Sequence, residues 1–77
     1  MIKVEKMLEK YGIKLENGLE TKIKDAGIDS LIFVRLIIDI ETEYEITFPD
    51  EGLNQKAYVV VGDIEKYANS LFLEKEK

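Results

Sequence analysis

Val4, Met7, Leu8 and Tyr11 fall at i, i+3, i+4 and i+7, one apolar stripe at helical period. Gly12 follows, and glycine is the residue best suited to the left-handed backbone that ends a helix. The spacing predicts a first helix over 2–11. Residues 13–28 lose the period. Ile13, Leu15, Leu19, Ile23 and Ile28 are irregularly spaced and Asn17-Gly18 signals a turn. This stretch reads as a long, ordered loop pinned to the core by its aliphatic side chains.

The most apolar run, Leu31 to Ile40, opens directly after Asp29-Ser30. Its first four residues contain β-branched side chains that also suit a strand. Its length and the polar continuation from Asp39 to Tyr44 favour a second helix over 30–44. Phe33, Leu36, Ile37, Ile40 and Tyr44 share one stripe, enough to face a core. Leu31, Val34 and Ile38 form a second, offset stripe. A surface helix in so small a domain needs one apolar face, so the second stripe either touches the long loop or faces a partner.

Pro49 disfavours helix in the residue before it, so Glu45 to Pro49 reads as a break. Residues 50–57 predict a short third helix with Leu53 inward. Tyr58-Val59-Val60-Val61 is β-prone, but a lone short strand has nothing to pair with; it reads as a connection laying valines on the core. Ile64, Tyr67, Ala68 and Leu71 predict a last helix over 62–72, with a frayed tail from 73 to 77. The expected fold is all-α: a small four-helix bundle, three main helices plus one short, with a long loop between the first two, in one domain spanning 1–77.

Composition changes the picture mainly by what it removes. At 77 residues and 45% apolar, the chain has enough for one small core. It has no cysteine, hence no disulfide, thiolate nucleophile or zinc-finger spacing. It has no histidine, the commonest metal ligand and usual general base. These absences argue against an enzyme. Glu41, Glu43 and Glu45 read as a solvated face rather than paired acid/base carboxylates, and Asp50-Glu51-Gly52 lacks the spacing of a calcium loop, so no metal site is expected. A net charge of −5 is unfavourable for nucleic acid and suits basic partners. No apolar stretch reaches the ~20 residues that span a bilayer, and the charged N-terminus lacks a signal-peptide core. A cytoplasmic monomer without membrane or nucleic-acid partners is the expectation.

Ser30 is the candidate functional residue. A serine ahead of an apolar helix often caps it, its oxygen accepting an unpaired amide of the first turn. The same helix end also favours a phosphate ester, because its free N–H groups carry partial positive charge. With no histidine to activate it, a modified Ser30 would need another enzyme to do the work.

Gly27-Ile28-Asp29-Ser30-Leu31 resembles the attachment motif of acyl and peptidyl carrier proteins. The likeness extends along the chain in order. Tyr11-Gly12-Ile13 resembles the family's first-helix ending. Ile46-Thr47-Phe48-Pro49-Asp50 resembles the stretch after its second helix, and Val61-Gly62-Asp63-Ile64 the start of its last. The resemblance implies a cofactor site at Ser30, with Asp29 beside it. There a phosphopantetheinyl transferase would attach 4′-phosphopantetheine from coenzyme A through a phosphodiester. The cofactor thiol would hold an acyl or aminoacyl group as a thioester, passed between activating and condensing enzymes that meet Leu31, Ile32, Val34, Arg35 and Ile38. Fatty-acid carriers bear acidic residues soon after the serine, where this chain has Ile32 and Arg35. Arg35 instead resembles the arginine of Ser-Leu-x-x-x-Arg-Leu in peptidyl carriers, which points to a specialised nonribosomal-peptide or polyketide-like pathway; a housekeeping fatty-acid carrier is the alternative. A bland reading of Arg35 is an ion pair with Asp39 one turn later. An unmodified helical docking module, with Ser30 only a cap, is the remaining alternative. Phe33, Ile37, Ile64 and Tyr67 are the candidates for burying cargo.

Overall fold

The computed structural model describes residues 1–75. Three α-helices are joined by loops and 3₁₀ turns: α1 (Val4–Leu8), α2 (Ser30–Tyr44) and α3 (Val61–Lys75). The all-α bundle expected from the sequence is what forms, with the long loop between α1 and α2. One hydrophobic core joins Val4 and Leu8 of α1, Leu36 and Ile40 of α2, and Ile64 and Ala68 of α3.

α1 is shorter than its periodicity predicts. Lys3 is extended, with φ −117° and ψ 91°, because α3 holds the backbone on either side of it. Asn69 Oδ1 accepts from Ile2 N at 2.8 Å and Glu65 Oε1 from Val4 N at 2.9 Å. The stripe continues as a 3₁₀ turn over Glu9–Tyr11 and stops at Gly12, whose φ of 73° lies in the left-handed region.

The long loop is ordered as expected. Ile13, Leu15, Ile23 and Ile28 are buried and Leu19 is half-buried against the core. The loop also supplies the partner that the sequence reading denied to the β-prone run. Lys22 and Val60 form an isolated antiparallel bridge, flanked by Ile23 N donating to Val59 O (3.0 Å) and Val61 N to Thr21 O (2.9 Å). Pairing turns Val59 outward, so of the three valines expected on the core only Val61 is buried there. Val59 is 65% exposed, Val60 is half-buried, and Val61 is buried as the first residue of α3.

The short third helix is replaced by two 3₁₀ turns, Asp50–Leu53 and Gln55–Ala57, split at the extended Asn54. Leu53 does not point inward; it is 48% exposed, and Gly52 takes the buried place. The reason is steric. A Cβ on Gly52 would lie 2.5 Å from Cε2 of Tyr67 and 3.2 Å from both Phe48 Cδ2 and Tyr58 Oη. Aromatic rings already fill that side: Tyr58 lies 5.8 Å from Phe33 and 6.2 Å from Tyr67, centroid to centroid. Tyr58 Oη donates to Gly52 O at 2.7 Å.

α2 ends before Pro49 acts, at Glu45, whose φ of 52° is left-handed. Glu41 is not simply solvated: it is half-buried, and its Oε2 accepts from Phe48 N at 2.8 Å. α3 continues to Lys75, three residues past its predicted end. There Lys75 Nζ donates to Tyr44 O at 3.2 Å and lies 3.9 Å from Glu45 Oε2, tying the ends of α2 and α3 together. The last two residues of the predicted frayed tail, 76 and 77, lie outside the described residues. Among the described residues, no helix is long and apolar enough to cross a membrane.

Candidate functional site

The turn that delivers Ser30 is held on both sides. Gly27 is left-handed, with φ 78°, and reverses the chain without a Cβ penalty. Ile28 is buried, and its carbonyl accepts from Gln55 Nε2 at 3.0 Å. Asp29 is extended, with ψ −179°, and caps α2: its Oδ1 accepts from Ile32 N at 2.9 Å, while its carbonyl accepts from Phe33 N at 2.9 Å. The cap is therefore Asp29, not Ser30. Both residue types suit the position, so the sequence left the register open by one residue.

Ser30 is the first residue of α2 and is exposed. Its hydroxyl makes no hydrogen bond among the described residues, since capping is done by its neighbour. The first amides of any helix lack an intrahelical acceptor. Here Asp29 takes that of Ile32, and those of Ser30 and Leu31 have no acceptor among the described residues. An anionic ester on the Ser30 oxygen would sit at the positive end of a 15-residue helix, beside free donors.

The second stripe is not covered by the long loop. Leu31, Val34 and Ile38 are 61%, 50% and 53% exposed, while Phe33, Leu36, Ile37 and Ile40 of the other stripe are buried. Ile32 is half-buried at the edge of the core. Arg35 is exposed among the three apolar side chains, and the ion pair with Asp39 that was its bland reading is not formed: the only ion pair within 4.0 Å among the described residues is Lys75–Glu45. Asp39 instead accepts from the Tyr11 hydroxyl, and that hydrogen bond raises the Tyr11 pKa. The cargo candidates Phe33, Ile37 and Ile64 are buried members of the core, and Tyr67 is half-buried against Phe48, 5.8 Å between centroids.

Ser30 thus presents an exposed, unbonded hydroxyl at a helix start beside an apolar face. The family described as phosphopantetheine attachment site matches residues 4–68. The chain belongs to that family. Its cofactor is 4′-phosphopantetheine, held covalently. Within the curated proteins, an acyl carrier protein of Helicobacter pylori is 44% identical over 45 residues, 58% of this chain and 55% of the relative. The chain thus spans about half the length of that relative. No solved structure matches. Sequence reasoning missed the brace from Gln55 to the Ile28 carbonyl, because an amide reaching 27 residues back leaves no local signal.

Proposed function

We propose that Ser30 is the attachment residue and that the chain is an acyl carrier, a shuttle rather than a catalyst. The observation that carries this is the free, exposed Ser30 hydroxyl at the start of α2, with the cap supplied by Asp29. The other serine, Ser70, lies outside the residues matched to the family. The cofactor supplies the thiol on which a thioester forms, a group the chain, without cysteine, does not itself possess. The chain's own residues orient and dock. Asp29 and the Gln55 brace fix where Ser30 points, and Leu31, Val34, Arg35 and Ile38 offer an apolar face with one positive charge to partner enzymes, with Ile32 at its edge. The name of the bacterial relative supports acyl cargo. The unpaired Arg35, in place of acidic residues, supports a specialised pathway over a housekeeping fatty-acid role, because such a face suits a partner surface that is neutral or acidic. The unmodified docking module loses its main support once Asp29, not Ser30, is the cap.

Incubation with coenzyme A and a broad-specificity phosphopantetheinyl transferase tests the reading. One phosphopantetheinyl mass is gained by the protein and none by Ser30→Ala. No gain, or a gain that survives in Ser30→Ala, removes the proposal.

A further inference from the structure

The net charge of −5 is unevenly spread. Segments 22–24, 28–38 and 54–59 hold four cations, Lys22, Lys24, Arg35 and Lys56, and one carboxylate, Asp29. Seven cations and fifteen carboxylates are left for the rest of the chain. These segments therefore carry +3 and the remainder −8.

The fold gathers the three segments around the Ser30 turn. Lys22, Lys24 and Lys56 stand about one groove of about 570 Å³ with no carboxylate in its lining. Ile23 N donates to Val59 O, and Gln55 Nε2 ties this groove to the Ile28 carbonyl, two residues before Ser30. Arg35 stands on α2 among the exposed Leu31, Val34 and Ile38. All four cations are exposed, and none is in an ion pair among the described residues. The bordering carboxylates are engaged or placed elsewhere. Asp29 Oδ1 accepts from Ile32 N, and Asp39 accepts from the Tyr11 hydroxyl. Asp25 lines a separate depression with Glu16 and Glu20, which Lys22 also borders, and Glu51 Oε1 accepts from Tyr67 Oη at 3.4 Å.

Unpaired cations beside an exposed apolar stripe complement a surface that offers apolar contact and negative charge together. Nucleic acid offers the charge alone and would leave Leu31, Val34 and Ile38 facing phosphates. An anionic bilayer is a continuous negative plane that also repels the −8 remainder, whereas a protein can confine its carboxylates to a ring about an apolar patch. We propose that the surface around Ser30 docks a protein face of apolar side chains ringed by aspartate and glutamate, the sign opposite to the basic partners that net charge alone suits. The inference rests on the carrier reading of Ser30. Leu31, Val34 and Ile38 bury against the apolar centre, and Lys22, Lys24, Arg35 and Lys56 meet the carboxylates. A basic-faced protein is drawn instead to the rest of the surface.

Two amphipathic helical peptides of equal leucine content, one leucine–glutamate and one leucine–lysine, test this as model faces. Amide shifts of the chain are followed by heteronuclear NMR as each is added. The leucine–glutamate peptide is expected to shift amides at 22–24, 30–38 and 54–59, with an affinity that falls as salt rises. The leucine–lysine peptide is expected to shift only amides outside these segments. Arg35→Gln/Lys56→Gln, at exposed positions, should weaken the leucine–glutamate peptide severalfold, and Arg35→Glu/Lys56→Glu should turn the preference of these segments to the leucine–lysine peptide. Lys3→Gln/Lys10→Gln, at a separate depression beside Glu43 and Tyr44, should leave the affinity unchanged. The proposal is overturned if the leucine–lysine peptide shifts the Ser30 segments of the parent, if the Lys3 and Lys10 substitutions weaken binding as much as those at Arg35 and Lys56, or if neither peptide shifts any amide. Tighter binding of the same segments to phosphatidylglycerol vesicles makes the occupant a lipid surface, and shifts that grow with protein concentration alone make it a second copy; either result overturns the proposal too. A mass gain at Ser30 with coenzyme A and the transferase leaves the carrier reading standing in all these cases, whereas no mass gain removes that reading itself.

Discussion

Replacing Asp29 and Ser30 separately by alanine tests the arrangement on which the site rests. Asp29 supplies the side-chain oxygen at 2.9 Å from Ile32 N, and Ser30 supplies none. Losing an aspartate cap costs about 1 kcal/mol, because the Ile32 amide loses its acceptor and the helix end its compensating negative charge. Ser30→Ala removes an exposed hydroxyl from the first helical position, where alanine is the better helix former, so stability changes by less than about 0.5 kcal/mol. In a chain of 77 residues, 1 kcal/mol moves the melting temperature by roughly 4–8 °C. Thermal and urea unfolding followed by far-ultraviolet circular dichroism therefore separates the two variants. Asp29→Asn, which keeps an acceptor without the charge, should fall between Asp29→Ala and the parent. The two variants should sort oppositely in the transferase reaction: Asp29→Ala remains a substrate and Ser30→Ala does not. If Ser30→Ala lowers stability as much as Asp29→Ala, the serine is the cap, its hydroxyl is not free, and the reasoning fails.

Gly62→Ala would set a Cβ 2.9 Å from the carbonyl oxygen of Leu19 and 3.2 Å from its Cβ. Backbone cannot swing aside as a side chain does, so overpacking should outweigh alanine's better helix propensity and destabilise by on the order of 1 kcal/mol; a higher urea midpoint than the parent's would contradict it. Tyr58 predicts an alkaline limit. Burial pushes its pKa up to about 12, with the neighbouring Tyr67 adding to the effect. The unfolded chain loses that proton near pH 10, so the folded state holds it longer; stability is full below about pH 10 and drains away as pH rises through 12. Tyr58→Phe should flatten this alkaline loss, leaving the parts due to Tyr11 and Tyr67, which shift the same way. At neutral pH it should cost about 1 kcal/mol for the bond to the Gly52 carbonyl. Urea midpoints across pH 8 to 11.5 check both, and an unchanged alkaline slope in Tyr58→Phe would refute the assignment.

What the sequence made legible was whatever period and punctuation encode. The α2 stripe of Phe33, Leu36, Ile37 and Ile40 repeats every three or four residues, and all four are buried. Gly12 ended its helix where a left-handed residue was needed. The errors fall where long-range contacts override local preference. Val59 and Val60 looked partnerless because their partners, Thr21 to Ile23, lie in a loop with no strand pattern. Leu53 looked inward because the crowding that reserves the buried place of its turn for Gly52 comes from Phe48, Tyr58 and Tyr67, three rings spread over 20 positions. Tyr11 took Asp39 from Arg35 across 28 residues, freeing a charge that helix spacing alone would have paired. Ser30 was singled out from its local motif, but the freedom of its hydroxyl depends on Asp29 winning the cap, which only geometry shows.

The clasp between Ile2 and Asn69, 67 positions apart, together with that between Val4 and Glu65, bears on how this chain comes into being. α1 is only five residues long, too short to persist as a helix by itself, and its place in the core is made by α3. During synthesis α1 must wait, unsheltered, until α3 has emerged. The Ser30 turn, between them, likewise lacks its Gln55 brace until that wait is almost over. The Ser30 turn thus reaches its final form only once residues far downstream of it have been made, so its geometry reports that α1 and α3 have already met.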